Sequence, residues 1–488
     1  FFNTCKLAAG SRYYEVGRQV LWQIQMIVLA KVERRPHITG VELRKVKTGL
    51  VGGLIANKGG VVCRLVYKGH DLAFVNTHLA AHEGIDFRLD RNRMAMEVQA
   101  KARVGNRDID LGNQFHHSFW AGDLNYRVEF KDWINPDGTL NKAVTKDEKM
   151  LQVKRVIDQE KWPVLWAADE LRRELGAGRA FAGFRDSVCD FPPTFKVEKG
   201  YVLKYNPKRV PSYCDRILYR STAGYDACIH QEAFAAAPNL ITSDHKPVWA
   251  RFRISVPETL AARQHRVAQT TKVAVRLRDV TVEGLNADLT TAKLIVHDEA
   301  LLNQGSSTMT NLNGGEEMIM LTRVSCSSVL QGTVQNPSGG GSSSQFSHAV
   351  VLQVQEASAS GGSDLGYTTL ALRSNDEETV QLDEAEAADW NSSKKLRGRS
   401  CKVLLGPQFP LFRRHVRLPL SLNGVAAGHL NGCLEITECY TPLYVLQGPT
   451  SLRVGIEKTT DTLCQLTEGD KVAVLNKKKR DGEVRLRV

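Results

Sequence analysis

The chain has 488 residues, enough for roughly two to four domains, and its apolar fraction of 42% excludes a chain that is disordered throughout. Its 65 Lys and Arg exceed its 53 Asp and Glu. The net charge of +12 favours an anionic partner: a phosphorylated small molecule, a nucleic acid or an acidic membrane surface. Ten cysteines occur singly with no CxxC pair, which argues against a zinc site or a disulfide framework.

The first 255 residues alternate between strand and helix patterns. In chain order they predict a buried strand at 20–32, a strand pair at 60–82, a helix at 87–104, a strand running into a loop at 117–128, a polar helix at 146–160, and late strands at 215–221 and 246–256. Strands separated by long loops predict sheets packed in layers and flanked by helices. The apolar stretch at 20–32 contains Gln23, Gln25 and Lys31 and is shorter than the ~20 residues of a membrane span.

The second half has a different pattern, in which polar and apolar residues alternate as they do in β-strands. We therefore predict a first domain over residues 1–255, a linker over 256–270 and a β-rich accessory region over 271–488. Gly/Ser-rich tracts near 335–346 and 357–364 predict flexible loops. The final "DKVAVLNKKKRDGEVRLRV" predicts a β-hairpin.

Polar clusters follow or begin apolar runs throughout the first half. They are "NKGGV" at 57–61, "FVNTHLAAH" at 74–82, "GDLNYR" at 122–127, "PSYCDRIL" at 211–218 and "TSDHKPV" at 242–248. Strand ends on one side of a sandwich can converge, which would make neighbours of His78, Asp123, Asn125, Asp215, Asp244 and His245.

This set of side chains matches the needs of phosphate-ester hydrolysis. That reaction requires an activated water, groups that spread charge over the phosphoryl oxygens, and usually a divalent metal. A carboxylate can act as base, an Asn can orient the water, and a His can stabilise the phosphoryl group while a second carboxylate orients it. Taken singly, each cluster is more often an ordinary turn, loop or connection than a functional site.

In their order and in their residues, the motifs resemble those of the inositol polyphosphate 5-phosphatases. The matching segments are "TGLVGGLIANKGGVVCRL", "FVNTHLAAH", "WAGDLNYRV", "FPPTFKV", "KRVPSYCDRILYRS" and "TSDHKPVWARF", within residues 15–255. The resemblance implies the four-layer α/β/β/α sandwich that the endonuclease/exonuclease/phosphatase superfamily shares with deoxyribonuclease I. It also implies Mg²⁺ as the cofactor and a phosphoinositide or inositol phosphate as the substrate.

The resemblance also implies roles for individual residues. Asp123 would be the base that activates water, with Asn125 positioning water and phosphate. His245 would contact the scissile phosphate, oriented by Asp215, and Asp244 would lie near the metal.

A second group would contact phosphates. His78 and Asn76 would meet phosphoryl oxygens or the metal shell, and Lys58 would approach phosphate. The pairs Phe195–Lys196 and Lys208–Arg209 would grip the 4-phosphate of the ring, with Phe in place of the commoner Tyr.

The start of the chain departs from the family pattern. The family's first strands carry an Asn and a Glu that binds Mg²⁺, and Glu15, in "SRYYEVGR", has a different context. We therefore expect the chain to begin after the family's metal-binding Glu, with the first strands of the catalytic domain missing, so that it binds the metal weakly and its turnover is in doubt.

The reading that the motifs favour is Mg²⁺-dependent removal of a 5-phosphate by a cytoplasmic protein that associates peripherally with an acidic membrane surface. The alternatives are a non-catalytic phosphoinositide-binding scaffold and a metal-dependent nuclease. No nucleic acid partner is expected, because the basic residues cluster around one rim. The accessory region weakly resembles a C2-type sandwich. Its "NKKKRDG" at 476–482 could contact acidic lipid or be a plain hairpin tip.

Overall fold

The computed structural model describes most of the first half of the chain and separate segments of the second. The described residues are 1–48, 57–137, 139–255, 270–285, 292–297, 319–327, 348–356, 362–372, 379–380, 401–403, 411–439, 443–446, 450–453, 462–466, 471–473, 476–480 and 483–487. The predicted linker, apart from residue 270, and the Gly/Ser-rich tract at 335–346 lie outside these residues. So does the tract at 357–364 up to residue 361.

The first half contains the described helices and a set of mostly short strands. The helices are α1 (Phe2–Ala9), α2 (Ile85–Lys101), α3 (Lys146–Asp158), α4 (Trp162–Ala167) and α5 (Glu170–Gly176). The strands are β1 (Tyr13–Leu21), β2 (Ile24–Lys31), β3 (Ile38–Thr48), β4 (Lys58–Tyr67), β5 (His70–His78), β6 (His117–Asp123), β7 (Arg185–Asp186), β8 (Asp215–Ser221), β9 (Ile229–Ala236) and β10 (Val248–Ile254).

A mixed sheet of six described strands forms the centre of this half, in the order β3-β4-β5-β6-β8-β7. Side chains alternate between its two faces. On one face Val62 and Trp120 join the core that includes Val98 of α2. On the other, Val61 packs with Leu21 and Ile24 of the β1–β2 hairpin.

The β9–β10 hairpin packs on the same face as β1–β2. The ring of Phe252 on β10 lies 5.0 Å from that of Phe119 on β6. Helix α1 lies beside β1, where Lys6 pairs with Glu15 at 3.7 Å. The order of helix, sheet, hairpin layer and helix confirms the predicted α/β/β/α sandwich.

The predicted single strand at 20–32 is wrong in one respect, because the chain reverses within it. Leu21 pairs with Ile24, so Trp22 and Gln23 form a two-residue turn. Trp22 has a positive φ of 51° and is largely exposed. Such turns usually contain Gly or Asn, and this stretch has neither. A continuous apolar run therefore concealed the hairpin.

The second half is β-rich, as predicted. Its described strands are β11 (Thr270–Glu283), β12 (Ala292–His297), β13 (Ile319–Ser327), β14 (His348–Glu356), β15 (Asp364–Leu372), β16 (Thr379–Val380), β17 (Cys401–Val403), β18 (Leu411–Leu422), β19 (Val425–Cys439), β20 (Leu443–Leu446), β21 (Thr450–Arg453), β22 (Thr462–Leu466), β23 (Lys471–Ala473), β24 (Asn476–Arg480) and β25 (Glu483–Arg487). The terminal hairpin forms from β24 and β25. The C2-type topology remains a prediction.

The β18–β19 turn docks on the first half at the end of the central sheet where β6 begins. The backbone N–H of Asn423 donates to the buried Asp110 carboxylate at 2.6 Å. Backbone bonds join Ala182 N–H to Gly424 C=O at 2.8 Å and Ala426 N–H to Gly178 C=O at 2.7 Å. Because β6 starts near this contact and ends at Asp123, the accessory region lies at the end of the sheet remote from that carboxylate.

Candidate active site

Strand pairing brings three of the predicted site residues side by side. His78, the last residue of β5, is in register with Asp123 of β6, and Asp123 is in register with Asp215 of β8. Residues directly opposite each other across strands point to the same face. All three therefore lie on the face that carries the two hairpins, at the end of the sheet where the polar loops begin.

Gly122 allows the central strand to approach β5 at this point. Its φ is +138°, and a Cβ there would lie 2.0 Å from the carbonyl oxygen of Thr77. A side chain at this position would push β6 away from β5. The glycine of "GDLNYR" is thus explained by the close pairing that places Asp123 beside His78.

The side chains form a connected set around Asp123. The Nε2 of His78 is 3.3 Å from Asp123 Oδ2, and the Nε2 of His245 is 4.0 Å from the same oxygen. The other ring nitrogen of His245, Nδ1, lies 3.0 Å from Asp215 Oδ2, which also accepts a hydrogen bond from Thr194 Oγ1 at 2.8 Å. The predicted convergence of these distant loops occurs.

The cluster sets opposite charges on Asp123 and His245. Burial alone would raise the pKa of Asp123, but the hydrogen bond with His78 and the charges of His245 and Lys58 hold that pKa below its ordinary value. Burial alone would lower the pKa of His245. The hydrogen bond and charge of Asp215, with the charge of Asp123, instead raise this pKa. The geometry therefore favours a carboxylate beside an imidazolium.

Lys58 enters the same cluster from the start of β4. Its Nζ is in hydrogen-bond contact with His78 Nε2. Burial lowers the pKa of Lys58 to about 8, against the attraction of Asp123. Lys58, the predicted phosphate-contacting lysine, thus lies in the same cluster as Asp123.

Asn76 and Asn125 are turned toward the protein. Asn76 Nδ2 donates to the Gln25 carbonyl of β2 at 2.9 Å. Asn125 is buried, and its Nδ2 donates to the Leu79 carbonyl at 3.1 Å while its Oδ1 accepts from Arg127 at 2.7 Å. Its backbone N–H donates to Asp123 Oδ1 at 3.1 Å. In this arrangement Asn125 holds Asp123 and its own amide is occupied by protein groups.

The segment predicted to grip a neighbouring phosphate divides into a buried and an open part. The ring of Phe195 is buried against His245, with centroids 4.5 Å apart. Lys196 Nζ lies 3.1 Å from Asp244 Oδ2, so Asp244 pairs with this lysine. Lys208 is exposed and Arg209 half-buried; they lie two and three residues beyond Asn206, whose N–H donates to the Lys196 carbonyl at 2.9 Å.

Sequence reasoning missed Arg127, although "GDLNYR" contains it. Its guanidinium carbon lies 4.9 Å from the centre of the Phe195 ring, and the side chain is buried. The sequence could have indicated Arg127, because a residue two positions after Asn125 lies on the same face as Asn125 in an extended segment.

Among the described residues, one ligand atom from each of Asp123, Asp215 and His245 lies within 4.8 Å of the others, so the two carboxylates could hold a metal; His245 could join them only as a neutral imidazole. Magnesium commonly uses one or two carboxylates and completes its shell with water and substrate phosphate oxygens, so the two carboxylates suit it. Glu15 belongs to another part of the molecule, where its carboxylate lies 3.2 Å from Arg18 Nε.

Comparisons with known proteins match the first half of the chain. The model of endonuclease/exonuclease/phosphatase family 2 matches residues 2–251. The zebrafish (Danio rerio) phosphatidylinositol 3,4,5-trisphosphate 5-phosphatase 2B is 31% identical over 265 residues, which cover 52% of this chain and 20% of the relative. The human phosphatidylinositol 3,4,5-trisphosphate 5-phosphatase 1 is 31% identical over 257 residues, which cover 49% of this chain and 20% of the relative.

Among solved structures, the inositol polyphosphate 5-phosphatase domain of a synaptojanin, in complex with inositol (1,4)-bisphosphate and calcium, is 26% identical. The match covers 52% of this chain and 65% of that one, with a TM-score of 0.40. The chain spans about a fifth of the length of the curated relatives it matches.

The family model covers about half of the chain, including all the residues of the cluster around Asp123. The chain therefore belongs to endonuclease/exonuclease/phosphatase family 2.

Proposed function

We propose that the chain hydrolyses the 5-phosphate of phosphatidylinositol polyphosphates, such as phosphatidylinositol 4,5-bisphosphate, or of soluble inositol polyphosphates, with Mg²⁺ as cofactor. The observation that carries this proposal is the position of Asp123 between the imidazoles of His78 and His245, with His245 held by Asp215. In-line attack by water needs a base that accepts the proton of water and a positively charged group that binds the phosphate. Asp123 and His245 supply these two groups.

Each group has a distinct task in this reaction. Asp123, whose lowered pKa keeps it ionised, accepts a proton from the attacking water. His245, whose raised pKa favours the imidazolium, donates a hydrogen bond to a phosphoryl oxygen, while Asp215 fixes its ring through Nδ1. Lys58, in contact with His78, adds a cation on the other side of Asp123.

Asp123 and Asp215 are the carboxylates that would hold Mg²⁺. When bound, the ion supplies charge neutralisation at the phosphoryl oxygens and makes water a stronger nucleophile.

The ring itself would be recognised by cations at the rim. Lys196 is about one-third exposed and can reach a neighbouring 4-phosphate if it leaves Asp244. Lys208 and Arg209 follow in the same loop, and Arg offers a fork suited to phosphate. Several cations on one rim suit a ring with adjacent phosphates better than a nucleic acid backbone, whose charges are spread out.

Exposed apolar residues beside this rim support a membrane-borne substrate. Tyr201, Val202 and Leu203 project from one loop and Leu240 from the next, with exposures of 51, 51, 43 and 55%. The Nζ of Lys246 donates to the carbonyls of both Tyr201 and Leu240, at 2.8 and 3.1 Å, which ties the two loops together. An apolar tip flanked by cations suits peripheral association with an acidic bilayer.

This reading gives a cytoplasmic, peripherally associated protein. None of the helices that the structure describes has the length and apolar character to traverse a bilayer.

The test is phosphate release from phosphatidylinositol 4,5-bisphosphate in vesicles and from inositol 1,4,5-trisphosphate, with Mg²⁺ and with EDTA. We expect release with Mg²⁺ only and a product that retains its 4-phosphate. Binding to vesicles with no release under any condition would instead support the scaffold alternative. Nicking of plasmid DNA with Mg²⁺ would support the nuclease alternative.

A further inference from the structure

The two reactive parts of the site stand on separate segments of the chain. Asp123 ends β6, whereas His245 lies in the loop that leads into β10. Both must act on one phosphoryl group, and a displacement of about 1 Å between reacting groups can cost roughly 100-fold in rate. Something must therefore fix the distance between these two segments.

Arg127 holds the first segment through hydrogen bonds to the backbone and the side chain of Asn125. Its Nε donates to the Asn125 carbonyl at 3.0 Å, and its Nη2 donates to Asn125 Oδ1 at 2.7 Å. Asn125 has a φ of +58°, and its backbone N–H donates to Asp123 Oδ1. The guanidinium therefore fixes the residue that orients the carboxylate.

The same guanidinium supports the second segment through Phe195. Its carbon lies 4.9 Å from the centre of the Phe195 ring, and that ring contacts the His245 imidazole with centroids 4.5 Å apart. Phe195 is itself held by backbone hydrogen bonds in both directions with Ser212, at 2.7 and 3.2 Å. Phe195 is thus in contact with both Arg127 and His245.

The arginine occupies this position at a cost. It is only 3% exposed, and no described group accepts a hydrogen bond from its Nη1. An incompletely paired buried cation is unfavourable. Lysine would keep the charge but has neither the planar fork nor the stacking face.

Building on the proposed function, we infer that Arg127 is a positioning residue that couples Asp123, through Asn125, to His245, through Phe195. It does not touch the substrate. It keeps Asp123, the base, at a fixed distance from His245, the residue that binds the phosphate.

The experiment uses the full chain with Arg127→Lys, Phe195→Leu and Phe195→Tyr, and Phe184→Leu as a control at an equally buried ring elsewhere. The first readout needs no catalysis: the imidazole NMR signals of His245 and the Nε–H signal of Arg127. We expect Phe195→Leu to shift both signals and Arg127→Lys to shift that of His245. Phe195→Tyr and Phe184→Leu should leave them close to wild type.

The second readout is kcat and KM for inositol 1,4,5-trisphosphate with Mg²⁺. Arg127→Lys should lower kcat by roughly 100-fold with KM within about threefold, and Phe195→Tyr should restore most of what Phe195→Leu loses. The inference is overturned if the His245 signal is unmoved in both Arg127→Lys and Phe195→Leu, or if Arg127→Lys keeps a wild-type kcat.

Thermal melting separates misfolding from mispositioning. If Arg127→Lys fails to fold, the comparison of Phe195→Leu with Phe195→Tyr alone tests the coupling. If the wild-type chain releases no phosphate, the proposed function fails, while the NMR comparison still tests the coupling.

Discussion

Asp123 and Asp215 are paired directly across the antiparallel strands β6 and β8, although 91 intervening residues separate them along the chain. The pairing places both carboxylates on one face with His245 between them. Asp215 contacts the Nδ1 of His245, whereas Asp123 lies between the Nε2 atoms of His78 and His245. The two carboxylates therefore have different surroundings.

Replacing Asp123 by Asn should abolish turnover while substrate binding changes by no more than a few-fold. The amide preserves shape but cannot accept the proton of water, and such a base contributes about 10²–10⁴-fold. Single-turnover phosphate release measures the effect, with the exposed Asp132→Asn as control. Wild-type rates from Asp123→Asn would disprove the assigned role.

Replacing Lys196 and Arg209 by Ala should mainly reduce activity on substrates that carry a 4-phosphate. Each lost charged contact is worth about 1.5–3 kcal/mol, or roughly 10–150-fold in kcat/KM. The comparison uses matched substrates with and without the 4-phosphate, and Lys199→Ala, an exposed lysine of the same loop, is the control. Equal losses on both substrates would argue against the clamp.

Stability should fall on acidification because of His117. Burial, with added repulsion from His116, His70 and Arg185, lowers the pKa of this imidazole from 6.5 to about 3. Below pH 6.5 His117 binds a proton in the unfolded chain but not in the folded chain. The free energy of unfolding therefore decreases as pH falls. The loss at pH 5 is about 2 kcal/mol, at ~1.4 kcal/mol per pH unit.

The measurement is the unfolding free energy of wild type and His117→Gln between pH 8 and pH 4.5. The variant should show a flatter dependence below pH 6.5, whatever its stability at pH 8. The exposed His230→Gln should keep the wild-type slope. An unchanged slope in His117→Gln would contradict the assignment.

The docking of the accessory region should depend on Gly178. A Cβ at this position would lie 2.5 Å from the Cβ of Ala426, and its φ is +65°. Gly10 offers a matched control, because it also follows a helix and has a φ of +79°, and a Cβ added there would meet no described atom within 4 Å. We expect Gly178→Ala to cost about 1–3 kcal/mol more than Gly10→Ala.

Adding Ala426→Gly should recover most of that difference, because it removes the clashing methyl group. Chemical denaturation of the single and double variants measures the interaction. The absence of any recovery would show that the loss arises elsewhere than at this contact.

Much of the site could be predicted because its residues sit in short motifs at strand ends. His78, Asp123, Asp215 and His245 come from four separate segments and do meet. The hairpin turn at Trp22 was missed because no turn residue marks it. The ion pair of Asp244 with Lys196 was not predicted, because neither residue's local sequence indicates the other; the position of Asp244 near the metal stays a prediction.

The fold class, the family and the chemical types in the site could be predicted from the amino-acid sequence, because periodicity and short motifs are properties of neighbouring residues. The strand register that pairs Asp123 with Asp215, the contact of Arg127 with Phe195 and the docking of the β18–β19 turn are visible only in the structure. These depend on contacts between residues tens to hundreds of positions apart. Their energy comes from packing and burial, which a single local pattern cannot encode.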